Sequence, residues 1–140
     1  GFAARLTEGT PTKNVNTMAP FLTLAFIYEG DRDPRWRPYL ETWAAWVMHE
    51  MPRTRAGGMQ HIVYDMVNDQ QMWDDTLMMS VLPLVKIGLV LNRPDYIEEA
   101  KYQFLVHTQY LADRQSGLWY HGWTFDGNHN FRQCLVGARQ

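Results

Sequence analysis

Apolar positions along the chain fall into four helical patterns, separated by loops marked with Gly and Pro. The first runs from Thr17 or Met18 to Tyr28, takes Pro20 in its opening turn and stops before Gly30. The second is expected to begin with Asp33 as N-cap and Pro34 at the first helical position. It carries Trp36, Leu40, Trp43 and Val47 on one face and ends before Pro52. The third is apolar nearly all round. It is expected to be capped by Asn68, with Gln71 completing a capping box, to kink at Pro83 and to reach Leu91. The fourth starts at Pro94, buries Ile97, Ala100, Phe104 and Leu111, and stops before Gly117.

The pattern repeats. Pro34 and Pro94 stand 60 residues apart, as do Gly57 and Gly117, and His61 and His121; Asn16-Thr17 precedes Asp75-Thr76 by 59. Each unit, about 16–74 and 75–134, pairs a buried apolar helix with an amphipathic one. The expected fold is therefore all-α: helical hairpins of an α/α toroid, inner helices lining a core and outer ones facing water. Asn16, His61, Asp75 and His121 are expected to gather at one mouth. Only two to two and a half hairpins are present, with a third inner helix expected near Leu135. Open apolar end faces need a partner, which points to a homo-oligomer.

Composition narrows the class. One domain of 140 residues is large enough for a single core. A net charge of −2, with no block of Lys or Arg, argues against nucleic acid. No apolar run approaches the roughly 20 residues needed to span a bilayer, and Gly1 to Leu6 does not read as a signal peptide. A lone Cys134 leaves no internal disulfide and no Cys-based zinc site. The expectation is a soluble, cytoplasmic protein without membrane contact. Six Trp and seven Tyr, several in loops, either cap the core or line a sugar-binding cleft.

The candidate chemistry lies in the stretch from Gln71 to Met79, where Asp74 and Asp75 follow Trp73 at the start of the apolar helix. Helical spacing puts Asp75 on one stripe with Met72, Met79 and Leu82. Burial there is expected to outweigh the helix dipole and leave Asp75 able to hold a proton, as a general acid must. The competing reading is an Asp that caps its own helix. Asp74 points about 100° away on a helix and reads as a capping or supporting group. Trp73 either stacks on a sugar face or packs inward; His61 and His121 either bind hydroxyls and a carboxylate or are structural. Metal readings fail: Met78 stands where an isoprenoid-synthase motif wants a third acid, and His61 with Asp65 lacks a third ligand. No cofactor or metal is called for.

Three motifs carry a family resemblance: Gly57-Gly58-Met59-Gln60-His61, Met72-Trp73-Asp74-Asp75-Thr76-Leu77 and Trp119-Tyr120-His121-Gly122-Trp123. With Val81 to Gly88 and Asn92-Arg93-Pro94, they resemble the unsaturated rhamnogalacturonyl hydrolases of glycoside hydrolase family 105 and, more remotely, the unsaturated glucuronyl hydrolases of family 88. The likeness runs from about Lys13 to Phe131; beyond it, Arg132 to Gln140 follows the family only in part. It implies a six-hairpin barrel more than twice this length, so the chain looks like a fragment or truncated member. The implied substrate is an unsaturated galacturonyl-rhamnose oligosaccharide. Asp75 matches the acid that protonates the enol-ether double bond and activates water; Trp73, His61, His121 and, more weakly, Asn16 match substrate contacts. The alternative is an inactive remnant that self-associates and at most binds sugar.

Overall fold

A computed structural model describes residues 12–131 and, for the backbone, 135–136. Cys134 lies outside the described residues. Helices dominate: α1 (Val15–Met18), α2 (Phe21–Asp31), α3 (Arg37–His49), α4 (Leu82–Val90) and α5 (Pro94–Leu111). α4 continues a π-helical segment, Leu77–Val81, and packs against both α2 and α5. The all-α expectation misses short antiparallel strands. β1 (Gln71–Trp73), β3 (Gly122–Thr124) and β4 (His129–Asn130) form one sheet in the order β1-β3-β4; β2 (Trp119–Tyr120) pairs with β5 (Leu135–Val136). Leu135 thus enters a strand where a third inner helix was expected, because its backbone pairs with Tyr120.

Helix ends differ from the sequence reading in physically simple ways. Gly30 lies inside α2, and the helix is closed by Arg32 in a left-handed conformation (φ 52°) whose N–H reaches the Tyr28 carbonyl. Asn92 adopts the same left-handed conformation (φ 54°) after α4, 60 residues later, and Gly57 and Gly117 are both left-handed as well. Asp33 does not cap α3. Its carboxylate accepts from the Arg35 N–H in the preceding turn, and α3 starts at Arg37 with Pro38 in its first turn. α5 does open at Pro94, as expected. It ends at Leu111, well before Gly117, which turns the following loop instead.

The third helix is the largest correction. Asn68 has positive φ and caps nothing helical; its side-chain amide donates to the His61 carbonyl. Gln71 to Trp73 is strand, so Met72 lies in a small core with Val106 and Phe125 rather than on a stripe with Asp75. Helical backbone begins only at Asp75. Pro83 lies in the first turn of α4, where it has no N–H to offer the carbonyl four residues back; the wide π turn lies immediately before it.

The main core joins Phe21, Leu24, Leu40, Trp43, Val47, Leu84 and Ile87, with the Phe21 and Trp43 rings stacked at 4.5 Å. Leu40, Trp43 and Val47 are buried as the periodicity required. On α5 the expected face is rotated. Ala100 and Leu111 are buried, but Phe104 is 53% exposed and the fully buried positions include Gln103 and His107. Gln103 is buried because it is fully bonded. Its Oε1 accepts from the Met59 N–H (2.8 Å), and its Nε2 donates to the Gly57 carbonyl and to Glu99 (2.9 Å each). This clamp fixes the loop that leads into His61. Phe104, Leu105, Met78 and Leu82 instead border an open apolar groove of about 710 Å³ between α4 and α5.

Candidate functional site

Strand pairing assembles the site. β1 and β3 pair in a register that sets Trp73 opposite Gly122, and the Asp74 N–H donates to the His121 carbonyl at 2.9 Å. Gly122 admits no side chain, since a Cβ would stand 2.3 Å from the Phe131 ring. That ring meets the Trp73 edge at 5.6 Å. On the other side, the His61 N–H donates to the Gln71 carbonyl (3.0 Å). Two segments far apart in sequence are thereby stitched to the three residues before the helix.

Trp73 is the centrepiece. The His61 ring stacks on it at 4.3 Å with planes 7° apart, and the His121 ring approaches edge-on at 5.0 Å. Its indole N–H donates to Gln71 Oε1 (3.0 Å). Trp73 is half-buried. Trp73, His61, His121, Asp74 and Asp75 are thus brought together. Asn16 is exposed on α1, and none of the site's hydrogen bonds among the described residues involves it. The buried amide there is Asn14, which caps α1 by accepting from the Thr17 N–H, while the Thr17 hydroxyl accepts from the Asn14 N–H.

The two carboxylates divide their work. Asp74 Oδ1 accepts from the Asp75 N–H (2.9 Å) and stands 2.8 Å from His121 Nδ1, so it caps the helix and pairs with a half-exposed histidine. Asp75 occupies the first helical residue rather than the second turn. Its side chain is 42% exposed, so the deep burial expected from the apolar stripe is absent. Its Oδ1 is nonetheless buried, 3.2 Å from His61 Nδ1 and without a conventional hydrogen bond. The exposure lies on the other side-chain atoms, which leaves Oδ2 as the oxygen available to a ligand.

His61 is almost fully buried. Burial pushes its pKa below the ordinary histidine value; the nearby Asp75 carboxylate opposes this, His121 adds to it, and Asp74 opposes it more weakly. One partner escaped the sequence reading. The Thr76 hydroxyl, wholly buried, lies 2.8 Å from His61 Nδ1. The available signal was its place next to Asp75 in a helix's first turn, where hydroxyl side chains commonly serve as polar partners. Among the described residues, no group of three or more His, Cys, Asp or Glu side chains is placed to hold a metal, and no helix is long and apolar enough to cross a membrane.

A helical scaffold that gathers acids, histidines and a tryptophan at one end is the kind of site carbohydrate-active enzymes use. The sequence pattern of Glycosyl Hydrolase Family 88 matches residues 2–138, and the chain belongs to that family. It is 37% identical over 124 residues to the unsaturated rhamnogalacturonyl hydrolase YesR of Bacillus subtilis (strain 168), covering 85% of this chain and 35% of that protein. Two solved structures superpose with a TM-score of 0.90, each a possible member of family GH105. One is from Klebsiella pneumoniae (64% identical) and one from Salmonella enterica serovar Paratyphi A (67%). Each match covers 93% of this chain and 34% of the other. A Clostridium acetobutylicum family 105 glycoside hydrolase shares the fold at 19% identity, with a TM-score of 0.71 over 81% of this chain and 30% of its own. The chain spans about a third of the length of the relatives it matches. These relatives are toroidal helical folds, which bears out the helical-toroid reading in kind.

Proposed function

We propose that this site belongs to an unsaturated rhamnogalacturonyl hydrolase, removing the 4,5-unsaturated galacturonyl residue from rhamnogalacturonan oligosaccharides. The chain contributes consecutive helical hairpins, about 16–74 and 75–134, of a six-hairpin toroid. The observation that carries the reading is Asp75: one oxygen buried 3.2 Å from His61 Nδ1, the rest of the side chain 42% exposed. A protonated Asp75 gives its proton to C4 of the enol ether, and the electron pair of the double bond forms the new C–H bond. Positive charge develops at C5, shared with the ring oxygen. The resulting carboxylate takes a proton from water as that water attacks C5. The hemiketal opens, and the sugar on the other side of the glycosidic oxygen leaves as an alcohol. One carboxyl group serves as acid and then base, unlike the two-carboxylate arrangement of ordinary glycosidases.

Supporting roles follow from position. Trp73 offers an aromatic surface to the sugar, and His121, held by Asp74, suits the uronate carboxylate. Asn16 remains a weaker candidate for substrate contact. The test is turnover of unsaturated galacturonyl-rhamnose, followed as loss of the double bond's ultraviolet absorbance, beside Asp75→Asn. Loss of absorbance that the substitution abolishes supports the reading; none from a folded sample rejects it for this chain.

The partner of the open groove is a second part of the proposal. Met78, Leu82, Leu89, Phe104 and Leu105 are each at least 40% exposed on adjoining helices. Exposure of this extent marks an interaction surface, and we assign it to a second copy of the chain. Light scattering at micromolar concentration is expected to show self-association; a clean monomer rejects it.

A further inference from the structure

His61 Nδ1 has two oxygens within reach and, when neutral, a single ring proton to place. Thr76 Oγ1 lies at 2.8 Å and Asp75 Oδ1 at 3.2 Å. Burial keeps the ring neutral around neutral pH, so the choice of tautomer is a real property of the site. Two arrangements are possible. With the proton on Nδ1, the ring N–H points at the Thr76 oxygen with the Asp75 carboxylate 3.2 Å away, and the hydroxyl of Thr76 is left as a buried donor. With the proton on Nε2, the Thr76 hydroxyl donates to the Nδ1 lone pair and is satisfied. His61 Nδ1 is the one acceptor that the described hydrogen bonds give to Thr76 Oγ1. Buried hydroxyl donors without acceptors are strongly disfavoured, and this decides for the second arrangement.

We propose that Thr76 is a positioning residue: its hydroxyl donates into the single lone pair of His61 Nδ1 and so holds the ring proton on Nε2. Buried Oδ1 has no conventional partner. With that lone pair taken by Thr76, Nδ1 neither donates to Asp75 Oδ1 nor accepts from it. A proton on Nδ1 would instead face the Asp75 carboxylate at 3.2 Å and favour its charged form; Thr76 keeps that proton on the other ring nitrogen. The stack of His61 on Trp73, with planes 7° apart, restrains the ring, and the Asn68 amide holds its backbone carbonyl. The charged and titratable groups around this ring are Asp75, Asp74 and His121. Among these, Asp74 stands 2.8 Å from His121, which leaves Thr76 as the hydrogen-bond partner of Nδ1 and Asp75 as its charged neighbour.

The functional consequence rests on the hydrolase reading; the tautomer does not, and the experiment separates them. Nitrogen-15 correlation spectra of the imidazole rings, taken at pH 7.5 on the chain as it stands, report whether His61 carries its proton on Nε2 or Nδ1. The expected result is Nε2–H in the natural chain and in Thr76→Ser, and a shift toward Nδ1–H in Thr76→Val. Nδ1–H in the natural chain overturns the proposal, as does a tautomer that Thr76→Val leaves unchanged. Should Thr76→Val fail to fold, the natural chain alone decides. On unsaturated galacturonyl-rhamnose, Thr76→Val is expected to lower kcat about tenfold at nearly constant KM, with Thr76→Ser restoring it. A KM effect without loss of kcat overturns the positioning role. An absence of turnover in every variant, with the tautomer as expected, counts against the hydrolase reading and leaves the tautomer assignment standing.

Discussion

His61 and His121 both contact Trp73, one stacked and one edge-on, each with a neighbouring aspartate, yet the two ends of the site are built differently. His121 is half-exposed and its Nδ1 stands 2.8 Å from Asp74. His61 is buried, its Nδ1 stands 3.2 Å from Asp75, and a hydroxyl competes for the same nitrogen. The closer pair has the wetter histidine but the less exposed carboxylate, which also accepts from the Asp75 N–H. The looser pair is dry on one side and open on the other. On the proposed reading, the carboxyl group with one oxygen withheld from solvent and one presented to it serves proton transfer, and the half-exposed imidazole beside a carboxylate serves binding.

Asp75→Asn probes the dry end and should have the largest effect. It is expected to lower kcat by about 10²–10⁴-fold, the range for loss of a general acid. The matching change at the wet end, Asp74→Asn, keeps a cap acceptor for the Asp75 N–H but removes the charge facing His121. Its expected effect is smaller, about tenfold in kcat/KM. Equal losses from both would break the comparison and mean that the two aspartates act as one unit.

A third histidine sharpens the contrast in between. His107 is wholly buried on α5 with a backbone carbonyl on Nδ1 and, among the described residues, no hydrogen-bond partner on Nε2. Burial pushes its pKa down to about 4 from 6.5. The unfolded chain therefore takes up the proton first as pH falls. The contribution to stability is complete above pH 6.5 and is lost progressively toward pH 4, to the extent of about 3 kcal/mol. Urea unfolding at pH 7.5 and 4.5 should show this loss, and His107→Gln should flatten it. An unchanged pH dependence in that variant would show that the carboxylates, rather than this ring, govern acid stability.

Much of the scaffold could be read from the chain alone. Leu40, Trp43 and Val47 are buried on α3 as their spacing required, and Pro94 starts α5, because a helix shows its face every three to four residues and its start through local stereochemistry. The rotated face of α5 was not legible. Gln103 is apolar in no scale, and it is buried only because Met59, Gly57 and Glu99, distant in sequence, satisfy it. Nor was the strand at Gln71–Trp73, whose pairing partners lie 50 residues on. A local window sees Met72 and Met79 at helical spacing and cannot see Trp123 across a ladder.

The identities of the acids, the histidines and the central tryptophan were matters of sequence, since motif and repeat name them without coordinates. Their arrangement was a matter of tertiary structure. The β1–β3 register set His121 beside Trp73; the loop from Met59 brought His61 onto its face; the late start of the helix put Asp75 at its first residue, with one oxygen in and one out. Residue type is local, but burial and distance depend on which remote segments arrive, and only the folded chain brings them together.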